Sequence, residues 1–299
     1  MTHPSRREFL AASGGTVGAL ALGQWGETDP GRESGDDGIL SMTAGRLNQS
    51  VSRWPFTAIP FPDFCRAAAA MGLAAIDLLG WDDWERVREY GLVCSMGYPY
   101  PAERRGFIQN GFNDPANHLM LLRELEDAIP LAARWGVPNL IAMFGNRGGR
   151  SDAEAIGHCV AGLDQIKALA EQHGVTICLE LLNSKVDHAD YQGDHTAFGV
   201  AVVRAVGSPR VKLLYDIYHM QIMEGDVIRT IRDNTDHIAH FHTGGVPGRH
   251  ELDDTQELNW HAIAAAIADT GFAGYVAHEF VPTRDPLAAL REAVAVCTV

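Results

Sequence analysis

From residue 176 to residue 217 the chain reads TICLELLNSKVDHADYQGDHTAFGVAVVRAVGSPRVKLLYDI. A β-rich run, Thr176–Leu181, carries Glu180 near its end. A polar loop and a helix-like segment, Ala197–Val206, follow it. A second β-rich run, Val211–Ile217, carries Asp216 near its end. Strand, helix and strand in that order point to a crossover between parallel strands. The same rhythm extends in both directions. Strands are expected near Leu47–Val51, Ala74–Leu79, Leu92–Met96 and Asn139–Phe144 before this unit, and near His237–Thr243 and Gly274–Phe280 after it. Helical segments such as Phe61–Met71, His118–Trp135 and Asp152–His173 lie between them. Eight units over about 255 residues match the usual size of a closed barrel. The rival, a doubly wound sheet, lacks support because no G-x-G-x-x-G follows the first strand. The expected fold is therefore an α/β chain with one (β/α)₈ TIM-barrel domain over 41–299.

Composition agrees with an enzyme of this kind. Of 299 residues, 46% are hydrophobic and 21% charged, enough apolar content for one sizeable core. A formal net charge of −14 argues against a phosphate-neutralising surface, so no nucleic acid is expected as a partner. Cys65, Cys94, Cys159, Cys178 and Cys297 form no C-x-x-C pair and read as free, buried thiols. No internal stretch is apolar enough to cross a membrane.

The first residues read as an address. Ser5-Arg6-Arg7-Glu8-Phe9-Leu10 precedes a weakly apolar, small-residue run, Ala11–Gly23, the pattern of a twin-arginine export signal. Ala19-Leu20-Ala21 supplies an A-x-A-like cleavage site. Residues 1–26 are thus expected to be a signal peptide, and 27–40 a disordered Gly/Asp/Glu-rich spacer. The expected location is periplasmic or extracellular. Contact with the membrane is transient, unless the uncleaved signal stays as an anchor.

In such a barrel, catalytic groups project from the C-terminal ends of the strands. Ligand-type residues gather there: Glu180 on the fifth strand, Asp216 on the sixth, His242 on the seventh and Glu279 on the eighth. A buried carboxylate must be paired, hydrogen-bonded or metal-bound. Alone, Glu180 also fits a salt bridge and Asp216 a helix cap. Three carboxylates and an imidazole at one height make an oxygen-rich site for one divalent cation. Mn²⁺ or Mg²⁺ suits it best, with Co²⁺ or Zn²⁺ as alternatives. His240 shares the parity of His242 and reads as a core histidine one layer lower, whereas His278 should face the helices. Trp54, Phe56 and Trp260 are candidate pocket walls. Lys185, His188 and His195 are candidate lid residues in the long loop after the fifth strand.

Several strings are specific enough to carry a resemblance. Leu179-Glu180-Leu181-Leu182-Asn183-Ser184, Tyr215-Asp216-Ile217-Tyr218-His219-Met220-Gln221, His240-Phe241-His242 with Val246-Pro247-Gly248-Arg249-His250-Glu251, and Ala277-His278-Glu279-Phe280 are the segments concerned. With them, the chain from about Gly45 onward resembles the xylose-isomerase-like barrel superfamily, most closely its hydroxypyruvate isomerase branch. The resemblance implies that Glu180 and Glu279 bind metal and act as the acid/base pair, that Asp216 and His242 complete the coordination, and that His219 and Arg249 contact substrate oxygens. It departs at two places. Some hydroxypyruvate isomerases carry glutamine where this chain has His242, as the ketose 3-epimerases do not. Val186 stands where those epimerases carry a second glutamate. The implied activity is metal-dependent movement of a carbonyl through an enediolate, on a small sugar or keto acid such as hydroxypyruvate. The alternatives are a ketose 3-epimerase and a non-catalytic exported sugar-binding module. The oligomeric state, including a homo-oligomer, stays open.

Overall fold

The computed structural model describes residues 45–101 and 106–299; the export signal expected over 1–26 and the spacer expected over 27–40 lie outside the described residues. The strands are β1 (Asn48–Ser52), β2 (Ala75–Asp77), β3 (Val93–Cys94), β4 (Asn139–Met143), β5 (Thr176–Glu180), β6 (Val211–Asp216), β7 (Ile238–Thr243) and β8 (Tyr275–His278). All neighbours pair in parallel, in the order β3-β2-β1-β8-β7-β6-β5-β4. The first strand therefore lies against the last. On the other side Gly97, just beyond β3, donates to the Asn139 carbonyl at 2.9 Å and accepts from the Ile141 N–H at 3.1 Å, which closes the ring onto β4. Only glycine fits there, because a Cβ on Gly97 would lie 2.4 Å from the ring of the fully buried Trp84.

The helices that matter for the site are α1 (Phe61–Ala70), α2 (Trp81–Arg86), α3 (Pro115–Trp135), α4 (Asp152–Leu163), α5 (Lys167–His173), α6 (Thr196–Val206), α7 (Ile217–Met223), α8 (Val227–Asn234), α9 (Trp260–Asp269) and α10 (Pro286–Cys297). Asp152–His173, read from sequence as one segment, is two helices. Gln165 and Ile166 switch to i→i+3 hydrogen bonds, on Gly162 and Leu163, and Ile166 turns into the core. Strands β4 and β5 are buried along their whole length, as a parallel sheet covered by helices requires. All five cysteines are free and buried, as expected. No helix of the described residues is long and apolar enough to cross a membrane.

One irregularity decides the site. Leu213 pairs with Ile238, but Leu214 pairs with His240, so β7 holds one extra residue, Ala239. Continued without it, the register would set Phe241 opposite Asp216. With it, His242 stands opposite Asp216, and the imidazole enters the same ring of side chains as the carboxylate.

Candidate metal centre and pocket

Glu180 ends β5, Asp216 ends β6, His242 lies one residue from the end of β7, and Glu279 follows β8 directly. One ligand atom from each of the four lies within 4.8 Å of all the others, and all four residues are buried. His242 Nδ1 is 2.6 Å from Glu279 Oε2, 3.4 Å from Glu180 Oε1 and 3.8 Å from Asp216 Oδ2. Yet this nitrogen has no hydrogen-bond partner. A fully buried ring nitrogen crowded by three carboxylates, none of them in good hydrogen-bond geometry, fits a cation lying between them. The residues expected from sequence to form the centre are thus brought together. Asp216 also does what its other reading required: Oδ1 caps α7 by accepting from the His219 N–H at 3.1 Å, while Oδ2 faces the cluster.

Sequence reasoning missed Asp77. It is the one acid in the apolar run of β2, which was its only signal, and it is fully buried. Its Oδ2 lies 2.9 Å from His242 Nε2 and its Oδ1 3.0 Å from His240 Nε2, while Ser95 Oγ donates to Oδ1 at 2.6 Å. Burial works to lower His242, but Glu279, Asp77 and Glu180 outweigh it and push the ring far above the ordinary histidine range. Without a cation the ring therefore carries charge. A cation between the carboxylates would displace the Nδ1 proton, and Nε2–H held by Asp77 would leave the Nδ1 lone pair as a ligand. His240 is thus a buried core histidine against Asp77, as its parity implied. Asp77→Asn is expected to weaken Mn²⁺ binding about 10–100-fold. Calorimetric titration of Mn²⁺ measures this, and unchanged affinity would show that Asp77 does not orient the ligand.

Three buried carboxylates (Asp216, Glu279 and Glu180) act on one guanidinium, that of Arg249. Its Nη2 contacts Asp216 Oδ2 at 2.6 Å and also Glu279 Oε2, and its Nε donates to the Glu279 carbonyl at 3.0 Å. Arg249 therefore pairs with the centre and not with Glu251, which is held by Thr283. The negative surroundings separate the two glutamates. Burial raises Glu180 to about 7 against the opposing pull of His242. Burial also works to raise Glu279, but the charges of His242 and Arg249 outweigh it and hold Glu279 low. Burial, reinforced by Arg249, keeps His219 far below the ordinary histidine range. Two carboxylates driven apart in this way are suited to acid and base roles.

A cavity of about 930 Å³ opens over the centre, lined by Trp54, Tyr98, Phe107, His188 and Arg249 among others. Trp54 Nε1 donates to Glu279 Oε1 at 2.5 Å. The other two aromatics expected at the wall are elsewhere: Phe56 is buried against Phe64 and Phe280, and Trp260 is buried in α9. Both sit on apolar helix or turn faces that the barrel packs inward. Of the three loop residues, only His188 reaches the cavity. Lys185 bonds the Ile222 and Met223 carbonyls at the end of α7, and His195 pairs with Asp194 at 2.7 Å. His278 turns outward, between Thr243 and Gln49, as its parity predicted.

Comparison with known proteins follows the same lines. The chain is 27% identical over 263 residues to a putative hydroxypyruvate isomerase of Homo sapiens, covering 83% of this chain and 94% of that protein. It is 25% identical over 236 residues to a 2-oxo-tetronate isomerase of Pectobacterium atrosepticum, covering 76% and 88%. Among solved structures, one described as an AP endonuclease, family 2, from Brucella melitensis superposes with a TM-score of 0.70 at 23% identity, covering 82% of this chain and 97% of that one, a likeness of fold. The family model for the xylose isomerase-like TIM barrel matches residues 65–298, and the chain belongs to that family.

Proposed function

We propose that the protein is a divalent-metal-dependent isomerase that moves a carbonyl by one carbon, acting on a small α-hydroxy carbonyl compound of the hydroxypyruvate or small-sugar class. The observation that carries this reading is that Glu180 and Glu279, in opposite electrostatic settings, line one cavity and meet Asp216 and His242 Nδ1 beneath it within 4.8 Å. Relatives named as isomerases of hydroxypyruvate and 2-oxo-tetronate support it. Glu180, Asp216, His242 and Glu279 would hold the cation, Mn²⁺ or Mg²⁺ from the hardness of the oxygen donors. When bound, it supplies stabilisation of negative charge as that charge develops on the substrate oxygens.

The protein's own groups do the rest. One glutamate takes the proton from the carbon beside the carbonyl, and the electron pair of that C–H bond moves into an enediolate. The proton returns to the neighbouring carbon, from the same glutamate or from the second one, and the carbonyl has moved. Return to the opposite face of the original carbon gives an epimer instead. The epimerase reading keeps one specific observation in its favour: a cavity of about 930 Å³ has room for a whole sugar beyond a three-carbon acid. Arg249 supplies a planar pair of donors for a carboxylate or for sugar oxygens. The leader pattern at Arg6-Arg7 supports work outside the cytoplasm after export of the folded protein.

The test is incubation of the Mn²⁺-loaded protein with hydroxypyruvate and a panel of ketoses in D₂O. Deuterium at carbon together with an isomerised product is expected. Stripping with EDTA should abolish both, and Mn²⁺ should restore them. Epimerised product would move the reading to the epimerase, and binding without exchange would make the protein a sugar-binding module.

A further inference from the structure

The loop after β5 holds a hydrogen-bonded device that the reaction scheme above does not use. Asn183 is fully buried. Its Oδ1 accepts from the backbone N–H of Val186 at 3.0 Å and of Asp187 at 2.9 Å, so the amide oxygen is fixed and Nδ2 must point the other way. Nδ2 donates to Asp187 Oδ2 at 2.6 Å and lies 2.7 Å from His219 Nδ1. The backbone N–H of Asn183 also donates to His219 Nδ1, at 3.2 Å. Tyr218 holds Asp187 in place through a hydrogen bond of 2.8 Å to Oδ2.

His219 Nδ1 thus faces two donors and no acceptor. A hydrogen on Nδ1, in either the other tautomer or the imidazolium, would oppose both of them. The lone pair belongs on Nδ1 and the hydrogen on Nε2. We propose that Asn183 is a positioning residue that locks His219 with its hydrogen on Nε2, so that His219 serves as a neutral donor to a substrate oxygen and not as a base. Arg249 Nη1 lies 2.5 Å from that nitrogen, donor against donor, and Asp216 Oδ2 at 3.7 Å is too distant to accept. The backbone donor at Nδ1 cannot turn away, whereas the long Arg249 side chain can. An oxygen with lone pairs, inserted between Nε2–H and the guanidinium, accepts from both and resolves the conflict. A carbonyl, carboxylate or enediolate oxygen has this character, and each belongs to the substrate class proposed above, on which this inference rests for its kinetic consequence.

The tautomer is read directly from two-bond ¹H–¹⁵N correlations of the imidazole in the full chain, metal-free and Mg²⁺-loaded, with His219→Gln to assign the signal. The expected result is a neutral ring with hydrogen on Nε2. Asn183→Asp turns the side-chain donor into a charged acceptor set against the one remaining backbone donor, and should move the hydrogen to Nδ1. A hydrogen that stays on Nε2 would show that the backbone alone fixes the ring and would overturn the role given to Asn183. The variant should also lower kcat about 10²-fold, the scale of losing one donor to a developing oxyanion, while Mg²⁺ affinity changes less than about 3-fold, within the context-dependence of such contacts. A wild-type ring with hydrogen on Nδ1 overturns the proposal whether or not the variant folds. So does a variant in which the tautomer moves and kcat does not. If the wild type turns over none of the panel compounds, the functional reading falls and the tautomer alone decides the role of Asn183.

Discussion

Glu180→Gln and Glu279→Gln are each expected to lower kcat by about 10²–10⁴-fold, the range that a positioned proton-transfer group contributes. Glutamine keeps the shape of the side chain and an oxygen that can still face a cation, but it neither accepts nor returns a proton at neutral pH. The two variants should differ in detail. Glu180, raised to about 7 by burial, sits where a group can both take and release a proton near neutral pH. Glu279 is held low by His242 and Arg249 against the effect of burial, and it also accepts from Trp54. Glu279→Gln therefore removes one of the anions opposite Arg249 and His242, and it should weaken Mn²⁺ binding more than Glu180→Gln does. Single-turnover kinetics at saturating Mn²⁺, with deuterium exchange measured in parallel, separates the chemical loss from the loss of metal. Retention of more than about a tenth of wild-type kcat at saturating metal in either variant would remove that residue from the acid/base role.

Gly111→Ala should be the most damaging small substitution near the site. Residues 112 and 113 run along the end of β4, with Phe112 N–H on the Met143 carbonyl at 3.0 Å and Asn113 N–H on the Phe144 carbonyl at 2.9 Å. A Cβ on Gly111 would lie 2.2 Å from the Phe144 carbonyl carbon and 2.3 Å from the Gly145 nitrogen. Those are backbone atoms of a buried strand end, so no rotamer change relieves the overlap. A loss of about 3 kcal/mol or more is expected, the upper end for overpacking, which corresponds to a fall in Tm of about 6 °C for a domain of this size. The cavity-lining segment Gly106–Gln109 ends two positions before Gly111, so KM should rise as well. Gly157→Ala is the contrast. Gly157 lies within α4, and its added Cβ would meet nothing within 4 Å. There the change should stabilise the chain, by up to about 1 kcal/mol, through helix propensity. Thermal melts of the two variants side by side give the answer. Equal effects would mean that the close approach at Gly111 is relieved in solution.

The alternation of strand and helix was legible along the sequence because each element is a local pattern: an apolar run of strand length, or an Ala/Leu-rich segment of helix length, read over ten residues or so. Every expected strand is found within about three residues at either end, the precision that local patterns allow. Glu180, Asp216, His242 and Glu279 were legible for a related reason. Charged or ligand-type residues at the ends of otherwise apolar strands carry a desolvation cost that must be met, and barrel geometry puts those ends at one mouth. The free, buried cysteines followed from their isolation among apolar neighbours.

What only the tertiary structure decided depends on where distant segments meet. The extra residue at Ala239 sets His242 opposite Asp216, and no pattern within β7 reveals which partner residue a strand will face. Asp77 supports His242 across 165 positions of sequence, through a ring closure that neither segment encodes by itself. Arg249 folds back onto Asp216 and Glu279, and Asn183 turns its amide onto His219, because of the courses of two loops. Local propensity and burial cost act within a strand or a helix, so the sequence alone is enough to read them. Register, ring closure and loop course arise from contacts between segments, and these exist only once the barrel has closed.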